Sequence, residues 1–353
     1  MTEDSLGFLR GILEAPSPSG YEQPVQRVVR DWIGRCAHEV RTDAHGNVIA
    51  ALNPRGKPRI MFAGHCDQLG LIVQYIDDQG YLFVNQVGGH DIPVLIGQRM
   101  TVWAKDGPIP GVMARKPIHL LRDDEAKKLP KMHDLWLDIG AQNKEEAAGL
   151  VDLGDPITWV LGMGTLRNDV VVAPAFDDKS GVYVVMEALR LLSGEKFDAA
   201  LFAVSTVQEE LGLRGAVTST FSVDPQVGIA VDVTMATDHP GMEKKMSGDV
   251  ALNKGPVVAR GPNINPVVYE MLVAAAKEKS IPHQLRGMAR PGGTDAAAMQ
   301  ISRGGVAAGL VSIPNRYMHS PVEAVSLADL QHAAELLAEF VLRVKSDTDF
   351  TPR

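Results

Sequence analysis

A chain of 353 residues, 45% hydrophobic and 22% charged, holds enough apolar material for more than one ordinary core. Its net charge of −8 argues against nucleic acid or an anionic membrane as the main partner. It has no apolar run of about 20 residues, an acidic start (Met1-Thr2-Glu3-Asp4) unlike a secretory signal, and only two cysteines, Cys36 and Cys66; a membrane span and a disulfide framework are not expected, and a reducing cytoplasm is.

Leu6 to Leu13 and Val25 to Ile33 read as helices, separated by the breaker cluster Ala15-Pro16-Ser17-Pro18-Ser19-Gly20. Arg59 to Ala63 reads as a short buried strand ending at Gly64. From Leu69 to about Val160 the texture changes. Short strand-like pieces (Leu71–Val73, Tyr81–Val84, Met100–Trp103) alternate with Gly-, Asp- and Pro-rich turns, which predicts a small antiparallel barrel or sandwich. Arg122 to Lys131 is a charged break within it, and Glu145 to Gly149 a short helix. After Gly164, strand and helix alternate again. Ala199–Val207, Val227–Val231 and Val306–Ile313 read as strands; Gly181–Leu192, Pro266–Lys279 and Ala328–Lys345 read as helices. The expected fold is a three-layer α/β/α domain with a mostly parallel sheet, built from residues 1–68 and 164–353 and interrupted by a β-rich insertion at 69–163.

Ligand sites in such sheets form beyond the carboxyl ends of the strands. His65, Glu209, Glu210 and Asp232 each follow a strand candidate directly, so residues far apart in sequence converge in one crevice. His65 and Asp67 are two apart. If strand geometry persists, they share a face, and Asp67 accepts from one imidazole nitrogen while the other stays free for a metal. Cys66 then points the other way and reads as a small buried apolar residue. Glu209 and Glu210, as neighbours on extended backbone, diverge: one is able to hold metal while the other faces a water. Asp177-Asp178 precede a helix candidate, where they also suit a helix cap; one carboxylate there is able to bridge two cations, a role that falls to Asp177. Asp232 fits a terminal ligand, and His319 lies in a loop bounded by Pro314 and Pro321. Two imidazoles, several carboxylates and a spare glutamate suit a two-metal hydrolase.

The segments Gly64-His65-Cys66-Asp67, Phe176-Asp177-Asp178-Lys179-Ser180-Gly181, Val207-Gln208-Glu209-Glu210-Leu211-Gly212, Val231-Asp232-Val233 and Arg316-Tyr317-Met318-His319-Ser320-Pro321 resemble the motifs of the TET aminopeptidases, family forty-two of the metallopeptidases, whose members are sometimes labelled cellulases or endoglucanases. The resemblance implies one metal on His65 and Asp232, a second on Glu210 and His319, and Asp177 between them. It makes Glu209 the general base and then acid, gives Asp67 the task of orienting His65, and implies a cis Asp177–Asp178 peptide. The cofactors would be two divalent ions, zinc or cobalt first and manganese next. The substrates would be short peptides, with Gly293, Thr294, Asp295 and Asp238 on the substrate side and a lean toward a neutral, leucine-like first residue. The insertion resembles a dimerisation domain, with a tetrahedral dodecamer as the assembly. One departure is Gln68, where the family usually has an acid. Two other readings stand beside this one: a metal-free glycoside hydrolase, which needs only two carboxylates, and an inactive self-assembling scaffold.

Overall fold

The computed structural model describes residues 1–123 and 127–353; of the charged break at Arg122 to Lys131, residues 124–126 lie outside them. Strands β1 (Glu39–Thr42), β2 (Val48–Leu52) and β3 (Arg59–His65) come first. They are followed by β4 (Gly70–Ile76), β5 (Leu82–Val87), β6 (Arg99–Ala104), β7 (Gly107–Arg115), β8 (Leu135–Asp138) and β9 (Pro156–Trp159). After these come β10 (Gly164–Thr165), β11 (Val170–Ala173), β12 (Ala200–Thr206), β13 (Val227–Met235), β14 (Val257–Arg260), β15 (Gln284–Gly287), β16 (Ala307–Asn315) and β17 (Glu323–Ser326).

An eight-stranded sheet in the order β1-β2-β12-β3-β13-β16-β14-β15 forms the centre. Its middle strands β12, β3, β13 and β16 are parallel, in keeping with their mostly apolar runs and with both faces covered. The sheet is thus mostly parallel, as expected, with β14 and β15 parallel as well and antiparallel pairs at three places. β1, β2 and β12 pair antiparallel, and so do β14 and β16. β1 and β2 are joined by five residues, too few for the crossover that parallel pairing needs. Alternation sorts side chains to two layers. Val48, Ala50, Leu52, Ile60 and Phe62 face the helices Glu3–Glu14, Gln23–Ile33, Phe176–Leu192, Pro266–Glu278 and Leu327–Arg343. Ile49, Ala51, Met61 and Ala63 face the shorter helices Arg214–Val223 and Asp295–Gln300.

β4 to β9 close into an antiparallel barrel in the order β4-β5-β8-β7-β6-β9, around Leu71, Leu82, Val102, Leu137, Ile157 and their neighbours. It leaves the central sheet immediately after the end of β3, since only four residues separate His65 from Gly70. A third, small sheet, β10-β11-β17, lies along the later part of the chain. The helix Arg214–Val223 and the short strands β14, β15 and β17 have no counterpart among the elements expected from sequence. No helix among the described residues is long and apolar enough to cross a membrane, and Cys36 and Cys66 are both free thiols.

Candidate metal centre

Three parallel strands deliver the first side chains. β3 ends at His65, β12 leads through Val207 to Glu209 and Glu210, and β13 carries Asp232. The helix Phe176–Leu192 delivers Asp177 at its first turn, where the Asp177–Asp178 peptide is cis and the two residues leave helical angles. The two oxygens of Asp177 face different histidines: Oδ1 lies 3.3 Å from His65 Nε2, and Oδ2 3.1 Å from His319 Nε2. Glu209 Oε2 stands 3.7 Å from His65 Nε2, and Glu210 Oε1 3.6 Å from His319 Nε2. The neighbouring glutamates thus diverge, but on a turn rather than the extended backbone expected, because Gln208 has φ 54°. Ligand atoms of His65, Asp177 and Glu210, and separately of His65, Asp178 and Asp232, lie within 4.8 Å of one another.

The surroundings fix these positions. Asp67 Oδ1 accepts from Glu209 N (2.9 Å), and its Oδ2 from Glu210 N (3.2 Å) and Ser19 Oγ (2.6 Å). His65 Nδ1 lies 3.1 Å from the Asp67 carbonyl oxygen and 3.4 Å from its carboxylate. Asp67 therefore touches the imidazole with two groups and clasps the glutamate turn as well. Asp178 spends one oxygen on His65 N and the other on Gly181 N, which leaves it poorly placed to donate to a cation. Glu323, at the start of β17, accepts from Asp177 N (2.8 Å) and His319 N (2.9 Å). That buried carboxylate, absent from the sequence reading, holds the backbone of both residues at the centre of the cluster. The one signal for it in the sequence is an acid four residues after His319, entering the small apolar run Ala324-Val325.

So many buried acids raise one another. Burial, reinforced by neighbouring carboxylates, pushes Glu209 up to about 9, Glu210 to about 7 and Glu323 to about 8; burial also raises Asp178 and Asp232. Asp177 goes the other way: burial opposes its charge, but hydrogen bonds from His319 and His65 hold it low. The hydrogen bond to Asp177 lifts His319 to about 9. Burial disfavours charge on His65, yet Glu209, Asp177 and Asp67 outweigh it and raise its pKa. Packed imidazoles and carboxylates with this excess of negative charge fit divalent cations with N and O ligands.

A family model described as M42 glutamyl aminopeptidase matches residues 46–336. The chain belongs to the M42 aminopeptidase family. It is 38% identical to the lysyl aminopeptidase of Pyrococcus furiosus over 349 residues, 98% of this chain and 99% of that one. A TET aminopeptidase structure from Thaumarchaeota archaeon SCGC AB-539-E09 superposes with a TM-score of 0.92 at 36% identity, covering 97% of each chain. The Pyrococcus horikoshii TET1 peptidase, described as able to assemble into a tetrahedron or a large octahedral shell, matches with a TM-score of 0.86 at 30% identity, over 96% of this chain and 100% of that one. This M42 chain is thus a peptide hydrolase, a metal-dependent aminopeptidase with the mixed α/β fold and inserted barrel of its TET neighbours.

The other sequence-predicted residues of this aminopeptidase fall in different places. Asp295 is buried and begins the helix Asp295–Gln300; its Oδ2 accepts from Thr206 Oγ1 (2.6 Å), while Oδ1 has no partner. Burial raises it to about 6, and its charge is felt at Glu209 and Asp232, so it borders the cluster. Thr294 caps that helix with its hydroxyl buried and unpartnered, and Gly293 is exposed one residue earlier. Asp238 is engaged elsewhere: Arg316 holds both its oxygens, at 2.8 and 2.6 Å, which ties down the loop bearing His319. Gln68, next in the chain to Asp67, is buried. Its Oε1 accepts from the buried Lys179 Nζ (2.7 Å) and Ser17 Oγ (3.3 Å). With a neutral amide there instead of an acid, burial pulls the Lys179 ammonium down to about 7.

Proposed function

We propose that this chain removes N-terminal residues from short peptides at a centre of two divalent cations, zinc or cobalt first and manganese next. The observation that carries the reading is Asp177, whose two oxygens point at two different imidazoles as a bridging carboxylate must. His65 and Asp232 would hold one ion, and Glu210 and His319 the other. Bound there, the cations supply a water of lowered pKa and polarise the scissile carbonyl. Glu209 takes the proton of the attacking water and returns it to the leaving amine. Burial and the surrounding acids raise its carboxyl, so it would hold a proton well once taken, while the charge of bound cations would favour the ionised form that accepts it. Asp67 fixes the imidazole of His65 and the turn that aims Glu209. Asp295, with one unpartnered oxygen beside the cluster, supports a substrate side that runs through Gly293 and Thr294.

Residues 1–68 and 164–353 form the peptidase domain; residues 69–163 form a dimerisation domain, and dimers build a tetrahedral dodecamer. The assembly named for the Pyrococcus horikoshii relative supports this. A metal-free glycosidase would leave His65, Asp232 and His319 without a task.

The test is a panel of aminoacyl p-nitroanilides, run on native enzyme, on chelated enzyme, and on chelated enzyme refilled with zinc, cobalt or manganese. Activity lost on chelation and regained on refilling supports the reading; activity indifferent to chelator overturns it. The variant Glu209→Gln should retain two ions per chain by elemental analysis while turnover falls by about two to four orders of magnitude, the scale of a lost general base. Near-normal turnover in that variant would remove Glu209 from its role.

A further inference from the structure

Glu209 sits on a turn that its own residues do not favour. Gln208 holds φ 54°, the left-handed region that a residue with a side chain adopts at a cost, and such strain persists where the surroundings over-determine it. The backbone groups along this turn are taken up one by one. Gln26 Nε2 donates to the Ser205 carbonyl (2.9 Å), and Asn47 Oδ1 accepts from Val207 N (3.1 Å). The carbonyls of Val207, Gln208 and Glu209 accept from the N–H groups of Gly215, Arg214 and Leu213. Asp67 takes the N–H groups of Glu209 and Glu210. The N–H of Gln208, on the strained residue itself, interacts with a carboxylate outside the cluster, that of Glu22.

Glu22 is buried, 4% exposed, and stands directly before the helix Gln23–Ile33, yet its side chain makes no capping bond to that helix. Oε1 accepts instead from Gly20 N (2.8 Å). Burial, with Asp67 nearby, pushes its carboxyl up to about 7, and the N–H groups of Gly20, Glu22 itself and Gln208 oppose that rise. A buried acid beside another acid is costly to keep unless it serves donors there. The segment that carries it is laced along the end of β3. Ser17 Oγ donates to the Cys66 carbonyl (2.7 Å), Gln68 N to the Ser17 carbonyl (2.9 Å), and Ser19 Oγ to Asp67 Oδ2 (2.6 Å). Glu22 and Asp67 therefore serve consecutive N–H groups, the first that of Gln208 and the second those of Glu209 and Glu210.

We propose that Glu22 is a positioning residue for the general base: by fixing the Gln208 turn it aims the Glu209 carboxylate at the attacking water. This inference rests on the role given to Glu209 above. Glu22 acts through the backbone and takes no part in the proton transfer itself.

A double-mutant cycle on metal-loaded enzyme tests it, with the best p-nitroanilide of the panel as substrate. Glu22→Ala should lower kcat by about 10- to 100-fold, the scale of a slightly misplaced reacting group, while KM and metal content per chain stay as in the wild type. Glu22→Gln, which keeps one acceptor oxygen, should recover part of that loss. In the Glu209→Gln background, Glu22→Ala should cost almost nothing more, because the group it aims is gone. An unchanged kcat in Glu22→Ala overturns the proposal. A loss of equal size in both backgrounds, or one carried by KM or by metal content, also overturns it, by reducing Glu22 to a support of the fold. If Glu22→Ala does not fold, Glu22→Gln goes through the same cycle, with the same signs at smaller size. Near-normal turnover in Glu209→Gln defeats the role of Glu209 and this inference with it. A crippled Glu209→Gln beside a fully active Glu22→Ala defeats this inference alone.

Discussion

Glu323 shows how much a single side chain organises without touching the reacting atoms. Its two oxygens receive the backbone N–H groups of Asp177 and His319, which come from a helix and a loop separated by more than a hundred residues. Gln at this position keeps the volume but has one acceptor oxygen, so one of the two buried N–H groups faces an amide NH₂ instead. An unmatched buried donor costs about 1–3 kcal/mol. That cost falls on the geometry of the proposed bridge, because the freed backbone belongs to Asp177 or His319 themselves. We therefore expect Glu323→Gln to weaken metal binding by about 10- to 100-fold, as is usual when a partner behind a ligand is lost. Competition with a chromogenic chelator measures this, and an unchanged affinity would reduce Glu323 to a bystander. The residue escapes sequence reading because its task is to serve backbone N–H groups, and which of these it meets depends on the fold. His65, Asp177, Glu209, Glu210, Asp232 and His319 are legible for the opposite reason: they carry their chemistry in their own side chains, at the ends of apolar runs.

At the scale of elements, the meeting of His65 and Asp177 depends on how closely β3 approaches the helix Phe176–Leu192. Gly64 allows it. A Cβ at Gly64 would fall 2.6 Å from the backbone nitrogen of Val182, so the two backbones pack with no side chain between them. Neither is a flexible side-chain end able to swing away. Gly64→Ala must push the strand and helix apart, at a cost of about 1–3 kcal/mol for an overpacked core. It should also lower activity more than stability alone explains, since His65 and the Asp177 segment sit at the two ends of that contact. Chemical denaturation and metal titration of this variant measure the two effects; wild-type values in both would mean the approach has slack. The same contrast governs which elements the sequence announces. β3, β12, β13 and β16 are buried on both faces and each contains a run of four or five consecutive apolar or glycine residues. The helices Pro266–Glu278 and Leu327–Arg343 show their period because one face lies on the core. β15 reads Gln-Leu-Arg-Gly and alternates between half-buried and exposed, so it lacks both signals. β17 is four residues long, too short to show a period. Edge and connecting strands of this kind owe their conformation to the partner they pair with, which a local pattern does not contain.

For the whole molecule, the cluster stores a debt of charge that cations discharge, and this makes stability depend on pH in a definite direction. Without metal, the acids with raised values favour the protonated form in the folded state: Glu210 about 7, Glu323 about 8, Glu209 about 9, with Asp178 and Asp232 also raised. The folded chain then binds more protons than the unfolded chain above the ordinary carboxyl value of 4.5, so stability falls as pH rises toward 9. His319 acts in the same sense. Its contribution is complete below the ordinary 6.5 and disappears as pH passes about 9. His65 is raised likewise. Asp67 and Asp177 are depressed and work on the other limb: their contribution is present above the ordinary 3.8 and is lost only in stronger acid. Metal reverses the alkaline trend, because the ligands must be deprotonated to bind and affinity rises as protons leave. Free metal at a hundredfold its Kd adds about 2.7 kcal/mol per independent site. The gap in denaturation midpoint between metal-loaded and chelated protein should therefore widen steadily from pH 5 to pH 9. A gap that stayed constant or narrowed would mean that the buried acids do not serve cations, and the centre would then have to be read as a proton-sharing network instead.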